Sequence, residues 1–582
     1  MTGTILVERN VMVNMRDGVP LATDVYRPSD DSVHPVLVYR TPYDKSDAAN
    51  VGALMINPLI AVDRGYVVVA QDTRGRFQSQ GTWTPLVNEG ADGYDTIEWA
   101  ARQPWSNGQV GIYGSSYMGV TALQATVGSP PPLKAAVAYL TGANYFNGWT
   151  YSGGALELGF NLSWALNHNW DTLARLKLDS AKRQALTQEL TAAVTDLWPM
   201  VRHLPLTDMP VLRDDVAPFW RGWLRHSAYD EYWKAIDVAR RADEITIPVL
   251  HIAGWYDVFL RGHLDLNLRL QSHANDLVRQ NHRMIIGPWD HAAYGGNRKS
   301  AAGDREFGPQ AVSGPALTTG LVLQWFDHWL MGRDTPLMSK PRVRYYLMGD
   351  NVWRDTEAWP PPHAPVRYYL HSGGQANTRF GNGVLLSDLP GNLPADSYLY
   401  DPGNPVPTVG GRTYRSVSGP GGVQDQARVE ERGDVLVYTS PRLLEPLTIA
   451  GPVTVALWVA SSAPDTDFTG KLVDVEPGGY CAVVADGIIR ARYRNSMEKP
   501  EWLTPGEITP LTVDLWDVAY TFRRGHSLRL EISSSNFPRF SRNANSTVSP
   551  EEACASDFSI AVQQVFHDAG HPSHITLHVV TT

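Results

Sequence analysis

Apolar positions in the first third of the chain follow two alternating spacings. Residues 35–40 and 66–71 are short, nearly continuous apolar runs, which are typical of strands covered on both faces in a parallel sheet. Within residues 90–103 the apolar positions instead recur at helical spacing. Residues 109–113 then predict a strand, and residues 117–127 a helix. Strands that alternate with helices over this length indicate an α/β layered fold.

The pattern changes near residue 145. From there to about residue 240 the strand-like runs disappear, and helical segments rich in Trp, Leu and Ala replace them. One of these segments carries an apolar stripe that favours core packing: Phe219, Trp220, Trp223 and Leu224. The α/β pattern resumes with predicted strands at residues 247–253 and 283–287. We therefore predict a helical insertion within an α/β unit.

After Pro360, Pro361 and Pro362 helical periodicity largely ends. Short β-rich stretches separated by turn signals follow, which suggests a β-sandwich. The predicted organisation has an α/β unit in two parts, a helical cap and a C-terminal β domain. In chain order the limits are 1–144 for the first part of the unit, 145–240 for the cap, 241–355 for the second part and 356–582 for the β domain.

Composition narrows the classes of protein. At 43% hydrophobic and 19% charged residues, the 582-residue chain is not disordered. The 50 Lys and Arg against 60 Asp and Glu give a net charge of −10, which argues against nucleic acid or anionic membranes as general partners. The chain lacks both an apolar run long enough to span a membrane and the pattern of a signal peptide, so we expect a soluble, cytoplasmic protein.

The two cysteines, Cys481 and Cys554, are too few for a disulfide framework or a Cys-rich zinc module. We expect two buried free thiols. A single disulfide between them is the alternative.

The sharpest chemical signal is the stretch GIYGSSYMG at residues 111–119, between a predicted strand and a predicted helix. A nucleophile elbow places serine on a strained turn there, with small residues nearby. Ser116 has Gly114 two places before it, whereas Ser115 has the bulky Tyr113, so Ser116 is the better nucleophile. The following glycine comes one place later than in strict G-x-S-x-G. An ordinary turn or helix N-cap is the alternative.

An acid and a histidine follow two later strands, in the order Ser, acid, His of α/β-hydrolases. Asp257 comes after the strand predicted at 247–253, and His291 after the strand at 283–287. Functional residues of open α/β sheets lie beyond the carboxyl ends of strands. We therefore predict a catalytic triad of Ser116, Asp257 and His291, in which Asp257 orients the imidazole and His291 takes the serine proton.

Other residues could fill these roles, and Asp257 could have a structural role instead. Asp257 could cap the following helix. Asp290 could be the acid, although an immediate neighbour of His291 is poorly placed to reach its ring. His251 lies within a predicted strand and His282 before one, which favours structural roles for both.

An oxyanion hole needs donors aimed at the developing negative charge. One candidate is the backbone N–H of Tyr117, the residue after the nucleophile. The second donor normally comes from the loop after an early strand. Here that loop is residues 40–44, where Tyr43 could donate its phenolic O–H. Ordinary packing of Tyr43 is an equal alternative.

Five motifs form a specific combination: Arg40-Thr-Pro-Tyr43, Asp72-Thr-Arg-Gly75, Gly114-Ser-Ser-Tyr-Met-Gly119, Gly254-Trp-Tyr-Asp257 and Gly287-Pro-Trp-Asp-His291. Together they resemble the cocaine esterase / X-Pro dipeptidyl peptidase group of α/β-hydrolases, in which the elbow commonly reads G-x-S-Y-x-G. The resemblance implies an α/β-hydrolase core, a helical cap and a jelly-roll C-terminal domain. It also implies the triad named above, with Tyr43 and Tyr117 in the oxyanion hole.

Substrates differ within that group. The α-amino-acid ester hydrolases recognise an ammonium partly through acidic residues two and three places after the triad Asp, where this chain has Phe259 and Leu260. The stretch is closer to the cocaine esterase pattern, in which an aromatic residue here and cap tryptophans line an acyl pocket. By spacing, the matching positions are Trp149, Trp164 and Phe259. Core packing is the alternative for each.

These observations lead to the hypothesis of a serine carboxylesterase for small esters with an apolar or aromatic acyl part, acting through an acyl-enzyme without metal or cofactor. A rival is an aminopeptidase, amino-acyl ester hydrolase or β-lactam acylase, which needs a carboxylate at the acyl pocket: Asp290, Glu157 or Asp44. A second rival is a binding protein on a degenerate hydrolase scaffold. Members of the group are often dimers, which leaves a homodimer open.

Overall fold

The computed structural model describes residues 4–47, 55–296, 299–314, 316–414, 417 and 419–581. The strands up to residue 356 are, in chain order, β1 (Ile5–Asn14), β2 (Pro20–Pro28), β3 (His34–Thr41), β4 (Val67–Asp72), β5 (Ser106–Ser115), β6 (Leu133–Tyr139), β7 (Tyr151–Ser152), β8 (Ala155–Leu156), β9 (Val249–Tyr256), β10 (Arg283–Asp290), β11 (Ala301–Ala302), β12 (Arg305–Glu306), β13 (Val343–Leu347) and β14 (Val352–Thr356).

Ten of these strands form one sheet, in the order β1-β2-β4-β3-β5-β6-β9-β10-β13-β14. The strands from β4 to β13 in this order run parallel. The outer pairs β1–β2, β2–β4 and β13–β14 are antiparallel. The apolar runs at 35–40 and 66–71 lie in neighbouring parallel strands that are almost completely buried, as their continuous hydrophobicity predicted.

Helices cover both faces of this sheet, as expected for an α/β fold. They are Pro58–Asp63, Glu89–Ala101, Tyr117–Thr126, Leu260–Gln271, Asp276–Asn281 and Val322–Met331. The helix that follows Asp257 begins at Leu260, because residues 257–259 form the turn that presents Asp257.

The insertion after β6 is helical, as predicted from the loss of strand-like runs. Its helices are Leu158–His168, Trp170–Arg175, Ser180–Thr195, Trp198–Arg202, Pro218–Arg225 and Glu231–Lys234. The prediction missed the two-residue strands β7 and β8, which pair as a short hairpin. The stripe of Phe219, Trp220, Trp223 and Leu224 is buried, in agreement with core packing. The segment limits drawn from the sequence stay predictions.

The C-terminal domain is a jelly-roll β-sandwich. Its strands are β15 (His363–His371), β16 (Val384–Leu386), β17 (Asp396–Tyr400), β18 (Leu436–Thr439), β19 (Leu447–Ser461), β20 (Asp467–Val475), β21 (Cys481–Arg490), β22 (Thr509–Phe522), β23 (Ser527–Ser533), β24 (Ala561–Phe566) and β25 (His574–Val580). The long strand β19 pairs with β22, β24 and β25.

A buried arginine fixes the β domain against the core sheet. Arg412 donates hydrogen bonds to the carbonyls of Trp255 in β9 (3.0 Å) and Leu515 in β22 (2.7 Å). Since Trp255 lies two residues before Asp257, the domain contact reaches the edge of the sheet that carries the predicted site.

Both cysteines are free thiols. Cys481 is buried in β21, but Cys554 is exposed, so the expectation of two buried thiols is wrong for Cys554. Cys554 lies in a loop after β23, where no strand pattern demands burial. Among the described residues, no helix combines the length and the hydrophobicity that crossing a bilayer would take.

Candidate active site

Ser116 lies on the turn that joins β5 to the helix after it. Its backbone has φ of 55° and ψ of −129°, a region that residues other than glycine rarely occupy. Gly114 has no room for a side chain, because a Cβ there would lie 2.1 Å from the carbonyl oxygen of Met118. This close approach explains the small residue before the serine and gives Ser116 the geometry of a nucleophile elbow.

Ser116, His291 and Asp257 form a hydrogen-bonded row. Ser116 Oγ lies 3.0 Å from His291 Nε2, and Nδ1 of the same ring lies 2.9 Å from Asp257 Oδ2. The other carboxylate oxygen accepts the backbone N–H of Phe259 at 2.6 Å. The imidazole and carboxylate side chains are only 3% and 1% exposed. In this arrangement an imidazole can take the serine proton while the carboxylate fixes its orientation.

The parallel strands β9 and β10 bring the acid and the histidine together. Gly254 and Gly287 are register partners, so the residues that follow each strand lie at the same edge of the sheet. Asp290, the alternative acid, makes an ion pair with Lys299 at 3.1 Å. It is Asp257 that meets the His291 ring.

The other two histidines considered from the sequence make contacts within the packed core. His251 Nδ1 lies 3.3 Å from Nδ1 of His263, whose Nε2 accepts the backbone N–H of Thr141 at 2.9 Å. Burial lowers the pKa of His263 to about 4. His282 Nδ1 lies 3.2 Å from the Val278 carbonyl, and burial lowers its pKa also to about 4. These rings remain neutral at pH 7, which suits structural roles.

Tyr117 can offer its backbone N–H to a reacting oxygen. This N–H belongs to the first turn of a helix, where backbone donors have no carbonyl partner within the helix. The side chain serves a different purpose, because its hydroxyl donates to Glu89 at 3.0 Å and accepts the Leu86 N–H at 2.7 Å. Burial raises the pKa of this phenol well above its usual value, so it stays neutral.

Tyr43 lines the same cavity as Ser116. Its hydroxyl oxygen accepts a hydrogen bond from Trp164 Nε1 at 2.9 Å, and its ring lies 4.5 Å from that of His168. Its backbone N–H donates to Thr41 Oγ1 at 3.0 Å. A phenol that accepts a hydrogen bond keeps a proton of its own to donate. Tyr43 can therefore act as a second donor to an oxygen in the cavity.

The buried carboxylate of Asp72 supports the turn that carries Tyr43. Its two oxygens accept the backbone N–H groups of Lys45 at 2.8 Å and Gln78 at 3.3 Å. Burial raises its pKa to about 6. Asp72 thus ties the Tyr43 turn to the loop that follows β4, which gives the Asp72–Gly75 motif a physical role.

A cavity of about 480 Å³ opens beside Ser116 and His291. This volume is within the range of small-molecule sites. Much of its wall is aromatic, with side chains from Tyr39, Tyr43, Phe77, Phe160, Trp164, Trp170 and Tyr414. Such a wall favours an apolar group beside the serine.

Of the three residues expected at an acyl pocket, Trp164 contributes directly to this wall. Trp149 and Phe259 lie behind it, with their rings stacked at 3.7 Å and only 2% and 0% exposed. The Phe259 ring contacts the His291 ring edge-on at 4.8 Å and the Phe160 ring at 5.0 Å. Phe259 therefore packs against the His291 imidazole, and Phe160 is the ring of this pair that lines the cavity.

Sequence reasoning missed Phe160, His168 and Tyr414 at the cavity. Phe160 and His168 lie four residues before and after Trp164 on one helix, so helical spacing could have found both. Tyr414 comes from the C-terminal domain, and its ring lies 4.7 Å from the His291 ring. Its Gly-rich loop has no periodic pattern that would place it there.

The carboxylates suggested for an aminopeptidase site have partners of their own. Glu157 makes an ion pair with Arg539 at 3.2 Å. Asp44 accepts hydrogen bonds from the backbone N–H and hydroxyl of Ser46, at 3.0 and 2.6 Å. Asp290 pairs with Lys299, as described above. A different carboxylate, Asp171, lines the cavity.

Two protein-family models match the chain. X-Pro dipeptidyl-peptidase (S15 family) matches residues 17–293, and the X-Pro dipeptidyl-peptidase C-terminal non-catalytic domain matches residues 337–576. Cocaine esterase of Rhodococcus sp. (strain MB1 Bresler) is 37% identical over 580 residues, which cover 99% of each chain. The chain belongs to the cocaine esterase / X-Pro dipeptidyl peptidase group of α/β-hydrolases. It is a hydrolase related to serine esterases and peptidases.

Two solved structures of similar proteins match almost the whole chain. An aminopeptidase from the marine sediment archaeon Thaumarchaeota archaeon has a TM-score of 0.81 at 26% identity, over 99% of this chain and 97% of its own. An α-amino acid ester hydrolase has a TM-score of 0.78 at 26% identity, with the same coverage. The group therefore contains proteins named for ester hydrolysis and for peptide hydrolysis.

Proposed function

We propose that this hydrolase is a serine carboxylesterase for small esters with an apolar or aromatic acyl group. Ser116 Oγ attacks the ester carbonyl, and His291 takes its proton and passes it to the departing alcohol. The N–H of Tyr117 and the O–H of Tyr43 donate to the oxyanion. Water, activated by the same imidazole, then releases the acid from the acyl-enzyme.

The observation that carries the proposal is the row of Ser116, His291 and Asp257 beside an aromatic cavity. Burial of an apolar acyl group against such a wall is favourable by about 25 cal/mol per Å². The 37% identity with a cocaine esterase over the whole chain supports ester hydrolysis as well.

A second candidate is hydrolysis of α-amino-acid esters or amides, including β-lactam acylation, on the same three residues. Asp171 favours it, because an ammonium on the substrate needs a carboxylate at the cavity. Asp171 is already engaged, however: its Oδ2 accepts the Phe77 N–H at 3.0 Å and lies 3.7 Å from Arg76 Nη1. An ammonium would compete with Arg76, so the uncharged acyl group remains the better fit.

Labelling with a serine-directed organophosphonate tests the nucleophile. We expect the wild type and the control Ser115→Ala to react at one site, and Ser116→Ala not to react. The control changes the neighbouring serine, which ends β5 and is 2% exposed. Absence of labelling in the wild type would favour the binding-protein alternative, and labelling of Ser116→Ala would contradict the assignment of the nucleophile.

Replacement of Asp171 tests the second candidate. If the protein is an esterase for uncharged acyl groups, Asp171→Asn should not change the ratio of the turnover rates on α-amino esters and uncharged esters. A selective loss of amino-ester turnover, with the uncharged ester unaffected, would establish Asp171 as an ammonium site and favour the second candidate.

A further inference from the structure

Arg76 is a buried cation between the turn that carries Tyr43 and the helical cap. Only 2% of the residue is exposed. Its Nε donates to the carbonyl of Pro42 at 2.9 Å, and this carbonyl belongs to the peptide group that precedes Tyr43. Its Nη1 donates to the carbonyl of His168 at 3.0 Å, at the end of the cap helix Leu158–His168. One planar guanidinium therefore joins the two segments.

Both of these segments fix Tyr43. The turn sets the position of its backbone, and the cap helix supplies Trp164 and His168, which contact its hydroxyl and its ring. A shift of either segment would move the Tyr43 hydroxyl relative to Ser116. Arg76 bonds to a backbone carbonyl in each, so it sets their separation.

The buried Arg76 guanidinium packs against an aromatic ring and lies near one carboxylate. The guanidinium lies 4.3 Å above the Trp83 ring. Among the described residues the carboxylate at ion-pair distance is Asp171, at 3.7 Å, which also accepts a backbone N–H. Burial lowers the pKa of the Arg76 guanidinium below its ordinary value, because desolvation disfavours the cation. Unlike the buried Arg412, which links the β domain to the core sheet, Arg76 lines the cavity beside Ser116.

We propose that Arg76 is a positioning residue of the reaction. It holds the Tyr43 turn against the end of the cap helix, so that the Tyr43 O–H meets the oxyanion as negative charge develops. The role of Arg76 rests on the proposed function, since it requires that Tyr43 donate to an acyl oxyanion.

Arg175, which is exposed whereas Arg76 is buried, provides a control for the loss of a cation at the same junction. It lies at the end of the cap helix Trp170–Arg175, and it donates to the carbonyls of Phe77 and Ser79. Arg175 thus also ties the cap to the loop after β4, but these bonds do not reach the Tyr43 turn. Arg76→Met and Arg175→Met remove the same charge and the same number of donors.

With a phenylacetyl ester as substrate, Arg76→Met should lower kcat by about 10- to 100-fold and change KM by less than about threefold. Arg175→Met should keep the wild-type kcat. Equal losses in the two variants would mean that Arg76 only anchors the cap, and would overturn the proposal.

A double-mutant cycle with Tyr43→Phe tests whether Arg76 acts through Tyr43. If it does, Arg76→Met should lower kcat by less than about threefold in the Tyr43→Phe background. Independent effects that multiply would overturn the proposal. Should Arg76→Met fail to fold, Arg76→Lys carries the same cycle, because lysine keeps the charge but lacks the planar pair of donors.

Ser116→Ala, measured in parallel, separates the two claims. If Ser116→Ala is inactive and Arg76→Met keeps the wild-type kcat, the proposed function stands and the role of Arg76 is overturned. If Ser116→Ala retains the wild-type rate, the proposed function is overturned, and the role of Arg76 with it.

Discussion

The indole nitrogen of Trp164 donates a hydrogen bond to the Tyr43 hydroxyl across 2.9 Å. The same indole stacks on the Tyr117 ring, with the centroids 5.8 Å apart and the planes 9° from parallel. One cap residue therefore contacts the side chains of both residues that carry the proposed oxyanion donors, and it also lines the cavity. In the proposed function, the cap therefore helps to position the oxyanion hole.

Trp164→Phe should lower kcat by about 2- to 10-fold, because it removes one hydrogen bond to Tyr43 and keeps an aromatic ring in the cap. Trp198→Phe is the control, since Trp198 is also a cap tryptophan but is 39% exposed. Steady-state kinetics on a phenylacetyl ester give both values. An unchanged kcat in Trp164→Phe would mean that the bond does not assist Tyr43.

Asp257→Asn should lower kcat by about 10³- to 10⁴-fold, because a neutral amide cannot stabilise the imidazolium of His291. Asp290→Asn should lose less than about tenfold, since Asp290 pairs with Lys299. Initial rates of the two purified variants decide between the candidate acids. A larger loss in Asp290→Asn would reverse the assignment.

Gly114→Ala should lower both activity and Tm. The added Cβ would lie 2.1 Å from the Met118 carbonyl oxygen, so the elbow must shift, and overpacking of this kind destabilises by about 1–3 kcal/mol. Gly222→Ala is the control, because a Cβ there meets nothing within 4 Å in the helix Pro218–Arg225. That control should be as stable as the wild type or more stable. Equal Tm values for Gly114→Ala and the wild type would refute the steric account of the elbow.

Stability should depend on pH through His263. Burial lowers its pKa from 6.5 to about 4, so the unfolded chain binds the proton first as the pH falls. The contribution to stability is therefore complete above about pH 6.5 and is lost towards pH 4.

A comparison of Tm at pH 7 and pH 5 between the wild type and His263→Gln tests this contribution, together with the smaller effect of His263 on the pKa of His251. Buried carboxyls with raised pKa, such as Asp72 at about 6, act in the opposite sense but are common to both proteins. Glutamine can still accept the Thr141 N–H. The drop in Tm should be smaller in the variant, and an equal drop would exclude His263 as its source.

The parts of the site that follow local pattern were predictable. Asp257 and His291 each come directly after an apolar strand. Because neighbouring parallel strands end at the same edge of a sheet, the sequence predicts that these two residues lie close together. Ser116 was distinguished from Ser115 by the glycine two places before it, and the Met118 carbonyl supplies the steric reason.

The parts that depend on packing between distant segments were not predictable. Tyr414 reaches His291 from a loop more than a hundred residues further along the chain, with no repeat that marks it. Residue spacing also could not decide which ring of the Phe160, Trp149 and Phe259 group faces the cavity, because all three are large and buried. How the cap packs against the core determines which ring lines the cavity.

The most direct test of ester hydrolysis at an apolar acyl pocket is a comparison of initial rates on a phenylacetyl ester and its α-amino counterpart, with Ser116→Ala as the control. We predict faster turnover of the uncharged ester, and its loss in Ser116→Ala. Faster turnover of the amino ester would contradict the account and identify a carboxylate such as Asp171 as the determinant of specificity.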